Sequence, residues 1–84
     1  MKEQDLIDLG FKRTDVSAEE SGYEAFYYYD IDFGDERGIS FISPANNEVI
    51  DNKWFVEVFE DTSIRIDTIE DLKELINILN RVIK

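Results

Sequence analysis

The segment 24–33 constrains the fold of this chain most strongly, because its side chains alternate with a period of two. One parity is apolar or aromatic throughout: Ala25, Tyr27, Tyr29, Ile31 and Phe33. The other parity mixes carboxylates with aromatic rings: Glu24, Phe26, Tyr28, Asp30 and Asp32. Aromatic and β-branched residues at this spacing suit a pleated strand in a half-buried sheet. The segment therefore predicts a β-strand with one face in the core.

Other segments predict partner strands for this one. The segment 34–38 has a glycine at each end and predicts a hairpin loop, so that a strand at 38–43 returns alongside. In that register Phe33 pairs near Ile39, and Ile31 pairs near Phe41. Further strands are predicted at 11–16, 53–59 and 63–66. Loops or turns are predicted at 17–22, 44–52 and 60–63. Short connections between consecutive strands favour an antiparallel meander.

Amphipathic helices are predicted at both ends of the sequence. A short one covers 3–9, with Gly10 as a left-handed cap. The C-terminal helix follows an N-cap at Asp67 or Thr68, and Glu70 or Asp71 completes a capping box. Its apolar stripe has helical spacing: Ile69, Leu72, Leu75, Ile76, Leu79, Val82 and Ile83.

These elements define the expected fold class, which is α+β. We expect an antiparallel four- to five-stranded meander sheet packed by the C-terminal amphipathic helix, with a short N-terminal helix. The 84 residues are expected to form a single domain, 1–84. Which face of the sheet the C-terminal helix covers stays open at this point.

Composition excludes several classes of function. Twenty acidic and nine basic residues give a net charge of −11, which repels nucleic-acid phosphates and anionic lipids. The sequence has neither histidine nor cysteine, so the usual general base, the commonest metal ligand and any thiolate are missing. No apolar run has the length of a signal peptide or a membrane span. We predict a cytoplasmic protein that is not an enzyme and has no catalytic residue, no cofactor and no nucleic-acid or membrane partner.

The carboxylates raise the question of a metal site. Asp30, Asp32 and Asp35 resemble the start of a calcium loop, but Gly34 stands on the wrong side of Asp35 and Phe41 occupies the twelfth position. Paired carboxylates can also perform acid–base chemistry where a pocket separates their pKa values, and no such pocket is indicated. We predict no metal site and interpret the acidic residues as contacts for a partner: Asp30, Asp32, Asp35, Glu36, Glu57, Glu60 and Asp61.

The aromatic residues predict more apolar sheet surface than one long helix can cover. If one parity of the central hairpin packs beneath the helix, the other parity faces away from it. The candidate apolar contact residues are Phe26, Tyr28, Ile42, Phe55 and Phe59. Large exposed apolar patches commonly mark interfaces, and aromatic residues are enriched at their centres. The alternative is that the N-terminal helix and the loops cover this second face.

The layout of the chain is similar to that of small uncharacterised acidic α+β proteins of phage and mobile-element type. The residues that carry the resemblance are Leu9–Phe11, Tyr27–Tyr29, Ile39–Ser43, Trp54–Glu57, and Ile64–Asp67 with Leu72–Ile76. The resemblance implies an intracellular setting, in a phage or prophage, and a non-enzymatic role. It assigns no function to any individual residue.

The favoured hypothesis is a non-enzymatic acidic interaction module that binds a basic surface of another protein. Its specific form is a phage or prophage inhibitor of a host protein, because carboxylates can stand where phosphates would bind. One alternative is a structural homo-oligomer, such as a dimer, in which the second sheet face packs against its twin. Another alternative is a carboxylate-based metal-binding protein.

Overall fold

A five-stranded antiparallel sheet forms the centre of the computed structural model, which describes residues 1–34 and 38–82. The strands are β1 (Lys12–Val16), β2 (Phe26–Phe33), β3 (Ile39–Ile42), β4 (Val56–Val58) and β5 (Asp61–Ile66), and they neighbour one another in chain order. The helices are α1 (Glu3–Asp8), α2 (Ala18–Ser21) and α3 (Ile69–Val82), with a 3-10 turn at Asn46–Glu48. The predicted α+β class and antiparallel meander are therefore confirmed.

Strand pairing places buried side chains of β2, β3, β4 and β5 in the core, whereas β1 contributes no residue to the buried cluster. Ile31 lies opposite Phe41 and Phe33 lies opposite Ile39, which is the predicted register. The face that carries Tyr29, Phe33 and Phe41 is called the core face. Side chains of α1 and α3 join it in one buried cluster: Leu6, Phe11, Tyr29, Phe33, Phe41, Trp54, Val56, Ile66, Leu72, Ile76 and Leu79. Both terminal helices therefore contribute buried side chains on the same side of the sheet.

The C-terminal helix begins as predicted but buries less of its stripe. The backbone N–H of Asp71 donates to the Thr68 hydroxyl at 3.3 Å, so Thr68 is the N-cap. Val82 is 64% exposed, because the last turn of α3 extends past Leu79, the last helical residue of the buried cluster. The burial that the apolar stripe predicts for Val82 was therefore wrong. Ile83 lies outside the described residues.

Local capping overrides the loop predicted at 17–22. The Ser17 hydroxyl accepts a hydrogen bond from the backbone N–H of Glu20 at 3.2 Å, which starts α2. Gly22 ends this helix with a φ of 80°, a left-handed conformation that glycine adopts without a steric penalty. The prediction of an irregular loop was therefore wrong for this segment.

The strand predicted at 53–59 is shorter than expected, since β4 covers Val56–Val58. The backbone of Trp54 instead pairs with Met1: its N–H donates to the Met1 carbonyl at 2.9 Å, and the Met1 amino group donates to its carbonyl at 3.2 Å. The predicted turn at 60–63 was also too long, because β5 starts at Asp61. Glu60, with a φ of 69°, makes the reversal between β4 and β5.

Side chains continue the hydrogen bonding of β2 beyond the end of β3. The backbone N–H of Tyr29 donates to the Ser43 hydroxyl at 2.9 Å, and the backbone N–H of Tyr27 donates to the Asn46 side-chain oxygen at 2.8 Å. Pro44 has no N–H and cannot extend a strand ladder. The segment that follows β3 is therefore held against β2 by these side chains together with one backbone bond, from the Ser43 N–H to the Tyr29 carbonyl at 2.8 Å.

Tyr29 links the sheet to α1. Its hydroxyl donates to the Glu3 carboxylate at 2.6 Å, and its ring packs edge-on against Trp54 with centroids 5.6 Å apart. Burial, followed by the hydrogen bond to Glu3, raises the pKa of Tyr29 to about 12 from an ordinary 10.0. The neutral phenol is thus favoured by the folded state.

This shift predicts that stability falls at alkaline pH. Above the unfolded pKa the folded chain holds a proton that the unfolded chain releases, so the contribution is complete below pH 10.0 and is lost as the pH rises to about 12. Between about pH 9 and pH 11.5, we expect the free energy of unfolding of the wild type to fall on the order of 1 kcal/mol further than that of Tyr29→Phe. Urea unfolding followed by far-UV circular dichroism measures this difference. Tyr28→Phe is the control, and equal pH dependence of the two variants would contradict the assignment.

Candidate interaction surface

The second face of the sheet, called the open face, consists of the strand residues that point away from the buried cluster. By register, together with the position of Phe59 against β3, its members are Lys12, Thr14, Val16, Phe26, Tyr28, Asp30, Asp32, Ser40, Ile42, Glu57, Phe59 and Arg65. Each of these side chains is half-buried or exposed, whereas α1 and α3 place their buried side chains on the core face. The N-terminal helix therefore does not cover the second face, which was one of the alternatives considered from the sequence.

The open face carries four of the predicted apolar contact residues, and three of the four share one cleft. Tyr28, Ile42 and Phe59 line one cleft of about 210 Å³ with Asp30, Asp32 and Ser40; it is called the β2–β3 cleft. The backbone N–H of Phe59 donates to the Ser40 carbonyl at 2.9 Å, which fixes this ring beside β3. Phe59 is 55% exposed, so its ring is accessible to a partner.

The other two predicted apolar residues lie outside the β2–β3 cleft. Phe26 lines a wider cleft of about 680 Å³ between α2 and the 3-10 turn, together with Tyr23, which is 92% exposed. Phe55 precedes β4, and the Arg65 guanidinium lies 3.7 Å above its ring centroid. The chain therefore covers Phe55 with one of its own cations, and this ring is less available than that of Phe59.

The structure brings only part of the predicted acidic set together. Asp30 and Asp32 lie in the β2–β3 cleft, and Glu57 lies on the same face opposite Ile42. Glu60 is exposed in the turn between β4 and β5. Asp35 and Glu36 lie outside the described residues, as does the side chain of Asp61.

The two cleft carboxylates have hydroxyl partners. Asp30 accepts a hydrogen bond from the Thr14 hydroxyl at 3.5 Å, and Asp32 accepts one from the Ser40 hydroxyl. Lys12 stands opposite Asp30 across the β1–β2 ladder. Within residues 1–34 and 38–82, the salt bridges join other pairs, Arg13 with Asp15 and Arg65 with Asp67. Both cleft carboxylates therefore present negative charge that no described cation neutralises by direct contact.

Two arginine residues show how this sheet holds a guanidinium. Arg13 contacts Asp15 at 2.8 Å and lies 3.7 Å above the centre of the Tyr27 ring on the neighbouring strand. Arg65 contacts Asp67 at 2.7 Å and covers Phe55 at the same height above the ring. Neither arrangement is among the predictions from the sequence. Their signal is the spacing Arg-x-Asp, which puts both side chains on one face of a strand.

The described part of the chain contains no group of three or more acidic side chains arranged to hold a metal ion. None of the helices in the ranges that the structure describes is both long and apolar enough to cross a bilayer. Comparisons with protein-family models, curated proteins and solved structures found no match. The resemblance to phage and mobile-element proteins therefore stays a prediction, and functional inference depends on the geometry of the open face.

Proposed function

We propose that the chain is a non-enzymatic acidic interaction module that binds a basic protein surface through its open face. The observation that carries this proposal is the β2–β3 cleft, where accessible rings adjoin the carboxylates of Asp30 and Asp32. Aromatic side chains dominate the contact energy of protein interfaces, and complementary charge accelerates and orients association. A basic partner satisfies both kinds of group at once.

Charge favours a different protein over a second copy of this chain. Two copies joined through the open face would place two surfaces against each other that each carry Asp30, Asp32 and Glu57. Juxtaposed like charges cost several kcal/mol at interfaces. The overall charge of −11 adds a long-range repulsion between copies. The homo-oligomer is therefore the second candidate, favoured only by the apolar residues of this face.

The inhibitory form of the proposal depends on the resemblance to phage and mobile-element proteins. In that form the partner is a host protein whose basic surface normally binds phosphates. The carboxylates of the open face would then occupy that surface in place of phosphate groups, with a strong dependence on salt.

The test compares two charge reversals that alter net charge equally. Asp32→Lys changes the β2–β3 cleft, and Glu74→Lys changes an exposed position on α3. We expect the wild type and Glu74→Lys to capture the same protein from a bacterial lysate at about 0.05 M salt. We expect Asp32→Lys to capture at least about tenfold less, a difference of about 1.4 kcal/mol.

Quantitative mass spectrometry of the captured protein reads out this experiment. Capture that persists at about 0.5 M salt would contradict electrostatic recognition. Equal loss with both variants would show that net charge, and not the open face, controls binding. Light scattering at micromolar concentration tests the homo-oligomer. A dimer that Tyr28→Ala disrupts would favour this second candidate.

A further inference from the structure

We infer that the β2–β3 cleft receives one arginine side chain of the basic partner. This inference depends on the proposed function of the open face, and it names the chemical group that the face recognises. The occupant is a guanidinium that stacks on the exposed Phe59 ring and donates hydrogen bonds to Asp30 and Asp32.

The first support comes from the two arginine sites that the chain already contains. Arg13 and Arg65 each lie 3.7 Å from the centre of an aromatic ring and within 3 Å of an aspartate oxygen. All cation–ring contacts among the described residues use arginine. The β2–β3 cleft offers the same two components, a ring and a carboxylate on one sheet face, without an arginine of the described chain in contact.

The second support is the size and shape of the cleft. Its volume of about 210 Å³ lies below the range of about 300–1,000 Å³ that is common for small-molecule sites. Such a cleft suits one side chain presented by a larger partner. Asp30 and Asp32 are two residues apart on β2, so their Cα atoms are separated by about 7 Å along one face.

This separation favours arginine over lysine. The guanidinium is planar and carries five N–H donors in a fixed fork, so it can stack on Phe59 while it donates toward carboxylates on either side. A lysine ammonium is a compact and strongly hydrated charge that neither stacks nor spans such a pair. Lys12 stands opposite Asp30 in the strand register, and these two described residues form no salt bridge.

Three octapeptides of alternating glycine and a variable residue provide the probes. The variable residue is arginine, lysine or citrulline, which is the neutral analogue of arginine. Titration of the ¹⁵N-labelled protein at low salt measures affinity and locates the contact. We expect the arginine peptide to bind at least about fivefold more tightly than the lysine peptide, because a guanidinium gains a cation–π contribution from the Phe59 ring. We expect the citrulline peptide not to bind, because it has no charge. The amide shifts should centre on Tyr28, Asp32, Ser40 and Ile42.

Two variants test the components of the cleft. Phe59→Leu keeps an apolar side chain but removes the ring, so it should abolish the preference for arginine over lysine. Asp32→Asn should weaken arginine binding at least about threefold, as expected for the loss of one partly exposed charge contact. Glu74→Gln, which removes one charge on α3, is the matched control and should behave like the wild type.

The outcomes separate this inference from the proposed function. Equal binding of the arginine and lysine peptides at the open face would overturn the arginine inference while the proposed function stands. Shifts centred elsewhere, or an arginine preference that survives Phe59→Leu, would overturn it as well. If no peptide binds, the arginine inference is wrong, and the capture experiment with Asp32→Lys decides the proposed function independently.

Discussion

Replacement of Phe41 by alanine is expected to destabilise the fold by about 3–5 kcal/mol. Phe41 is 1% exposed, lies in β3 at the centre of the sheet, and packs edge-on against Phe33 with ring centroids 5.8 Å apart. Its truncation removes buried apolar surface and leaves a cavity that the neighbouring strands cannot fill without losing their pairing. Because domains of this kind are stable by about 5–15 kcal/mol in total, we expect a large part of the variant population to be unfolded on mild heating.

Urea unfolding measured by the fluorescence of the buried Trp54 gives this difference directly. Phe59→Ala is the matched control, because it makes the same chemical change at a ring that is 55% exposed. We expect the control to cost no more than about 1 kcal/mol. Similar losses for the two variants would show that the open face is as buried as the core face, and the assignment of the two faces would then be wrong.

Ser43→Ala is expected to cost about 2 kcal/mol, although it removes only one oxygen atom. The Ser43 hydroxyl is the acceptor for the backbone N–H of Tyr29 at 2.9 Å, in a part of β2 that is buried. Alanine leaves this N–H without an acceptor and away from water. A buried donor without an acceptor destabilises the folded state by more than a formed hydrogen bond stabilises it.

The control for Ser43→Ala is Ser40→Ala, which removes a hydroxyl that donates to Asp32 on the open face. We expect this control to cost less than about 1 kcal/mol, since water can replace the lost contact. Amide hydrogen exchange supplies a local measurement, and the Tyr29 amide should exchange faster in Ser43→Ala alone. Equal stability and equal exchange in the two variants would contradict a structural role for the Ser43 hydroxyl.

The two faces of the sheet could be predicted from sequence because a strand has a period of two. The parity of 24–33 separates Tyr29 and Phe33, which are buried, from Tyr28 and Asp32, which lie on the open face. The register predicted for β3 is the observed one, and it places Ile42 opposite Asp30 and in one cleft with Tyr28. Most of the candidate surface follows from this one pattern.

The features that were not predicted depend on contacts between residues far apart in the sequence or on local capping, and periodicity contains no information on either. Trp54 is of a residue type that is common in strands, but its backbone pairs with Met1, so β4 is shorter than predicted. The N-cap at Ser17 makes a helix from a segment whose composition is typical of a loop. Phe55 belongs to the predicted apolar set, yet Arg65 on the neighbouring strand covers its ring.

The chain-order arrangement of β1 to β5 has a consequence for how the protein reaches its native state. In the ranges that the structure describes, every strand pairs only with a strand adjacent in sequence, so no pairing requires a strand to insert between two others. Proteins with such local pairing fold faster than those with distant pairing at similar stability. The bonds from Met1 to Trp54 and Asp67 are the exception, since they join residues 53 and 66 positions apart. We therefore expect the hairpins to form early and the attachment of the first helix to the sheet to form late.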